Sequence, residues 1–193
     1  MQALPKPLVI YDTEYTAWEG SIARNWKGPG EHREIVEIGA IRLSRSNLAE
    51  EAAFSVLVKP EKNPILSDYF VRLTGITNQM IAGEGLAFAD ALARFDAFAG
   101  QAELFAYGRD DKVMGETAAL QGISFAPARW ATHDLRDWFQ QSGLDVTRLH
   151  SSDLAPAAGA PRAMHPHRAL DDARAIAAAI RALIAKGHPS PFG

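Results

Sequence analysis

Apolar positions fall into short runs early in the chain and into helical spacings later. Leu8 to Tyr11 is continuous and β-prone, and Glu34 to Leu43 places Ile35, Val36, Ile38, Ala40, Ile41 and Leu43 in the pattern of a mostly buried strand. Phe54 to Val58 reads as a third strand, ended by Lys59-Pro60. Ser67 can cap a short helix through Leu73 that Gly75 terminates, and Leu86 to Phe98 follows with apolar residues near helical spacing. The middle of the chain then alternates. Leu104 to Tyr107 reads as a fourth strand, Lys112 to Leu120 as a helix, Ala128 to Thr132 as a fifth strand, and Asp134 to Gln141 as a helix stopped by Gly143. After a Ser/Ala/Gly/Pro-rich stretch at residues 151–163, Ala169 to Lys186 carries the clearest helical stripe: Ala173, Ile176, Ala177, Ile180, Leu183 and Ile184.

Three strands followed by alternating helices and strands predict an α/β fold. The expected architecture is one mixed five-stranded sheet, its first three strands antiparallel, with helices on both faces. No repeat or linker interrupts the pattern, so a single domain over residues 1–193 is expected. Thr16 to His32, rich in Trp, Gly and charge, is too long for a tight hairpin turn, and a loop of that kind beside a strand end is often functional.

Composition narrows the chemistry. An apolar content of 47% over 193 residues suffices for a packed core. The chain has no cysteine, which excludes disulfides and thiolate-bound zinc. Any metal must be held by oxygen or imidazole, which points to magnesium or manganese. Met1 to Tyr11 shows no signal-peptide pattern and no later stretch is long enough to span a membrane, so a cytoplasmic protein without a membrane partner is expected. A net charge of -3 argues mildly against a polyanion partner, unless several acids form a metal site whose cations invert the local field.

Three acidic clusters are candidates for such a site. Asp12-Thr13-Glu14 follows directly on the first strand, where side chains two apart point the same way, so that two carboxylates converge. Alone, the pair also fits a solvated turn. Gly108-Arg109-Asp110-Asp111 ends the fourth strand and opens a helix, and His167 to Asp172 opens the last helix. Both of these also fit simple complementation of a helix dipole.

In combination the clusters resemble the DEDD-type 3′ to 5′ exonucleases of the histidine subclass, relatives of polymerase proofreading subunits on a ribonuclease H-like fold. The likeness runs over nearly the whole chain: Asp12-Thr13-Glu14, the acids after Gly108, the five-residue step from His167 to Asp172, Glu34 to Ala40, and Leu73-Thr74-Gly75-Ile76. It implies that Asp12, Glu14, Asp110 and Asp172 bind two Mg²⁺ ions, or Mn²⁺, with His167 as general base. The substrate would be single-stranded nucleic acid with a free 3′ end, released as nucleoside 5′-monophosphates. Tyr15, Thr16, Leu73, Thr74 and Gly75 would contact the terminal nucleotide, and self-association as a homodimer is a further expectation.

Adjacent acids leave two assignments to weigh. The family places apolar residues three and four positions after its acid, which Val113 and Met114 satisfy from Asp110 rather than Asp111. Spacing from His167 selects Asp172 over Asp171. In the long loop, Trp18 and Trp26 are candidates to stack on bases, and Arg24, Lys27 and Arg33 to draw phosphates. Two other classes compete. Ile10 to Thr16 also resembles the nucleophile loop of haloacid-dehalogenase-type phosphatases, which want Asp where Glu14 stands and leave His167 without a role. An inactive nucleic-acid-binding module is the second. DNA and RNA remain open.

Overall fold

The computed structural model describes residues 6–126, 128–162 and 165–192; residues 1–5 and 163, which fall within stretches read above, lie outside them. Five strands form one sheet in the order β3-β2-β1-β4-β5: β1 Leu8–Tyr15, β2 Ile35–Leu43, β3 Glu50–Leu57, β4 Glu103–Ala106 and β5 Thr132–Asp134. The first three are antiparallel, while β4 and β5 run parallel to β1.

β1 is central, and its apolar run is continuous because helices cover both faces. Val9 and Tyr11 pack under α4 (Phe88–Ala99) and α5 (Asp110–Gln121). Leu8 and Ile10 pack under α6 (Arg136–Gln141), α7 (Ser151–Ala157) and α8 (Ala169–Ala185). Leu8, Val9 and Ile10 are wholly buried. Each such side chain stabilises the fold by roughly 1.5–3 kcal/mol. The stripe expected on α8 is the buried one, with Ala173, Ile176, Ala177, Ile180 and Leu183 in the core and Ile184 packed against it. A third cluster joins Val36 and Leu57 to Phe70 of α2 (Asp68–Thr74) and Ile81 of α3 (Asn78–Glu84).

Several boundaries differ from the sequence pattern, each for a physical reason. β1 continues through Asp12 and Glu14, which pair across to Gly39 and Glu37 of β2, so the carboxylates lie within the strand rather than after it. β3 begins at Glu50, since an open edge tolerates charged residues. Ala128 to Trp130 is a turn, and β5 starts only at Thr132. Trp130 is apolar because its ring is stacked between Phe95 and Phe125. Leu86 bridges to Val58, delaying α4 by two residues. Three short helices lacked a clear stripe: α1 (Ser21–Arg24) inside the long loop, α3, and α7 in the stretch rich in small residues. Among the described residues no helix is long and apolar enough to cross a membrane.

Candidate active site

Strand parity decides which acids face which layer. Asp12 and Glu14 share the α8 face of β1 with Leu8 and Ile10, while Thr13 points to the α5 face with Val9 and Tyr11. Asp110 arrives from that second side. β4 ends at Ala106, Gly108 turns the chain at φ 129°, and Asp110 begins α5. The Thr13 hydroxyl donates to Asp110 Oδ1 at 2.5 Å, tying the helix start to the strand between the two strand-borne acids.

α8 supplies the remaining groups. Asp172, in its first turn and 1% exposed, accepts from the His167 backbone N–H at 3.3 Å and from the Ser151 hydroxyl at 3.4 Å. His167 is half-buried, with φ 61°, a left-handed conformation uncommon for a residue with a side chain. Its ring meets that of His150 edge to face, centroids 5.9 Å apart. Glu14, His167 and Asp172 each offer a ligand atom within 4.8 Å of the others. Asp12 and Asp110 line the same cleft, whose volume is about 770 Å³.

Each adjacent-acid pair is divided between cleft and surface. Asp110 lines the cleft, whereas Asp111 pairs with Arg109 through bonds of 2.7 and 2.8 Å and faces a separate groove. Asp172 lines the cleft, whereas Asp171 takes His165 at 3.1 Å and Arg174 at 3.6 Å.

Burial and mutual repulsion govern the electrostatics. Asp12 is held well above the usual carboxylate range by burial, then by the charges of Asp110, Asp172 and Glu14. Glu14 is raised likewise by burial, with Asp172, Glu37 and Asp110 adding to it and Arg168 opposing. Burial lifts Asp110 to about 6, against the bond from Thr13, and lifts Asp172 to about 7. His167 is pushed down, first by burial and then by His150. A concave group of largely buried carboxylates that repel one another fits a hard divalent cation, which would offset their mutual repulsion.

The other expected contacts divide. Tyr15 and Leu73 line the cleft with Trp18, Trp26, Tyr69 and Phe70. Thr16 and Thr74 are turned inward to backbone partners. The Thr16 hydroxyl donates to the His32 carbonyl at 2.5 Å and accepts from the Glu34 N–H, and Thr74 donates to the Phe70 carbonyl. Gly75 ends α2 and is not among the residues lining the cleft. The Trp26 ring lies tilted against that of Tyr15, centroids 5.4 Å apart, and its indole N–H donates to the Thr16 carbonyl at 2.8 Å, so it is a structural part of that side of the cleft. Arg24 is paired with Glu31 and Arg33 with Glu116; of the basic residues expected to draw phosphates, Arg33 lines the cleft, whereas Arg24 and Lys27 do not. Thr13, His150 and Ser151 escaped the sequence reading; Thr13 stood inside the first motif, but His150 and Ser151 carried no motif signal.

Fold and side chains together define the DEDDh class of 3′ to 5′ exonucleases, the class the motifs resemble. The chain belongs to the exonuclease family (RNase_T), whose model matches residues 9–180. A 91-residue segment, 47% of this chain, is 34% identical to ERI1 exoribonuclease 2 of Xenopus laevis, and the match spans only 12% of that protein. The fold is that of the nuclease domain of 3′hExo, a DEDDh family member solved with rAMP: TM-score 0.79, 22% identity, 97% of this chain and 96% of that one. Exonuclease I of E. coli in its complex with single-stranded DNA gives TM-score 0.72 and 18% identity over 95% of this chain and 41% of that one. The phosphatase reading is thereby overturned, its loop likeness explained by the exonuclease motif at Asp12 to Glu14. The inactive binding module finds no support.

Proposed function

We propose that this chain removes nucleotides one at a time from the 3′ end of single-stranded nucleic acid, RNA foremost, releasing nucleoside 5′-monophosphates. The observation that carries the reading is the gathering of Asp12, Glu14, Asp110, Asp172 and His167 on one cleft. RNA is preferred because the curated relatives are exoribonucleases.

Asp12, Glu14, Asp110 and Asp172 are the residues that would hold divalent cations, two Mg²⁺ or Mn²⁺ ions on the balance of four carboxylate charges. Such ions polarise the phosphodiester and offset charge on the attacking and leaving oxygens. His167 accepts a proton from the attacking water at its ring nitrogen, and its lowered pKa keeps it neutral and able to do so near pH 7. Attack forms a P–O bond to water oxygen and breaks the P–O3′ bond; the departing O3′ takes a proton from solvent. Tyr15, Trp18 and Leu73 cover the terminal nucleoside, while Thr13 fixes the Asp110 carboxylate against the strand.

The test is shortening of 5′-labelled single-stranded RNA, single-stranded DNA and duplexes in Mg²⁺, Mn²⁺ or chelator. Stepwise loss from the 3′ end of RNA is expected, stopped by chelator and by Asp12→Ala. Undiminished cleavage by Asp12→Ala sinks the assignment.

A further inference from the structure

Glu37 is an acid the catalytic reading leaves unused. It stands opposite Glu14 in the β1–β2 register and is wholly buried, yet it does not line the cleft. Its carboxylate is turned to the start of α8. Oε1 accepts from Arg168 Nη2 at 2.7 Å and from the Ser55 hydroxyl at 3.2 Å, and Oε2 accepts from the Ala169 backbone N–H at 2.9 Å. Arg168 Nε lies within 3.2 Å of both oxygens.

α8 has no side-chain cap of its own. A carboxylate from the sheet therefore satisfies one of its free amides and complements its dipole. Two residues along the same face, Gly39 meets the backbone of Ala169 and Leu170 so closely that a side chain there would collide with it. Glu37 and Gly39 thus form a cradle for the first residues of the helix.

The residue just before this cradle is His167, held at φ 61°. A side-chain-bearing residue stays in that region only where its surroundings over-determine it. On one side the His167 N–H reaches Asp172 at 3.3 Å; on the other, the next two residues are fastened to Glu37.

We propose that Glu37 is a positioning residue for this site: through Arg168 and the Ala169 N–H it fixes the turn that presents His167 and Asp172 to the cleft. The proposal rests on the exonuclease reading only for its consequence in rate, because the turn itself can be observed without substrate.

The experiment compares wild type with Glu37→Ala, Glu37→Gln and Arg168→Lys by kcat and KM on single-stranded RNA. It also follows the His167 ring resonances in metal-free, substrate-free protein. For Glu37→Ala kcat falls about 10- to 100-fold with KM within about threefold, as for lost supporting bonds around a reactive group. The His167 resonances shift. Glu37→Gln, which keeps an oxygen for the Ala169 N–H, recovers part of kcat and part of the resonance position. A folded Glu37→Ala protein with wild-type kcat, or with unmoved His167 resonances, overturns the proposal. Should Glu37→Ala not fold, Glu37→Gln and Arg168→Lys decide by the same two readouts. Wild-type protein inert on single-stranded RNA and single-stranded DNA alike would contradict the nuclease reading, while the resonances would still judge the positioning.

Discussion

α5 and α8 begin alike and end up differently. Each carries two adjacent aspartates in its first turn. In α5 the first of the pair is buried in the cleft and the second is tied to Arg109; in α8 the second is buried and the first is tied to Arg174 and His165. The inward stripe decides. From Asp110 it runs through Val113, Met114 and Thr117, and from Asp172 through Ile176, Ala179 and Ile180. The acid in phase with the stripe is drawn into the site, and its neighbour, about 100° round the helix, finds a surface cation. An acid is therefore assigned by its phase against the core rather than by its order in the motif.

The supports of the two helix starts differ as well. α5 is secured by a neutral hydroxyl, Thr13, acting on the acid itself. α8 is secured by a charged side chain, Glu37, acting on the backbone beside its acid. The first arrangement orients one carboxylate, while the second orients a turn that bears two groups.

The comparison is broken most forcefully by exchanging one carboxylate at a time. Asp110→Asn and Asp172→Asn are expected to lower kcat/KM on RNA by on the order of 10³-fold, the loss of several kcal/mol of charge stabilisation. Asp111→Asn and Asp171→Asn should stay within about threefold, because exposed pairs contribute little. A large loss in Asp111→Asn with Asp110→Asn active would reverse the assignment at α5.

A smaller effect concerns stability without metal. Asp110 and Asp172 have folded pKa values of about 6 and about 7, above their ordinary range, and Asp12 and Glu14 are raised too. A group raised on folding stabilises the fold below its unfolded pKa and loses that contribution as pH rises through the folded one. In chelator, the share of stability Asp110 and Asp172 provide is thus present below their ordinary carboxylate pKa and lost as pH rises through about 6 and about 7. Asp172→Asn removes one of these charges while keeping an oxygen for the His167 N–H. At pH 8 in chelator it should be more stable than wild type by on the order of 1–3 kcal/mol, and Mg²⁺ should narrow or reverse the difference. Equal or lower stability in a melting experiment would show that the acids do not repel as described.

Much of this was legible in the sequence. The mixed five-stranded sheet with its first three strands antiparallel follows from the apolar runs of Leu8 to Tyr11 and Ile35 to Leu43 and from the alternation after them, although the fifth strand begins only at the last residue of the predicted Ala128 to Thr132. The Ser67 cap lies where expected, accepting from Phe70 N–H. The cleft acids were legible because helical phase is written in Val113, Met114 and Ile176. The supports were not. Glu37 and Ser151 act on residues 132 and 21 positions away, and no local pattern encodes such a contact. The hydroxyls of Thr16 and Thr74 are engaged by nearby backbone groups, an orientation that a motif does not reveal. Trp130 imitated a strand because aromatic stacking between layers is as apolar as a sheet.

The central claim is that one acid from each adjacent pair joins Asp12 and Glu14 around bound metal. Anomalous scattering at the manganese edge, from crystals grown with Mn²⁺ and a nucleoside 5′-monophosphate, measures this directly. The account predicts density bounded by the carboxylates of Asp12, Glu14, Asp110 and Asp172. Manganese on Asp111 or Asp171, with the cleft acids bare, would contradict it.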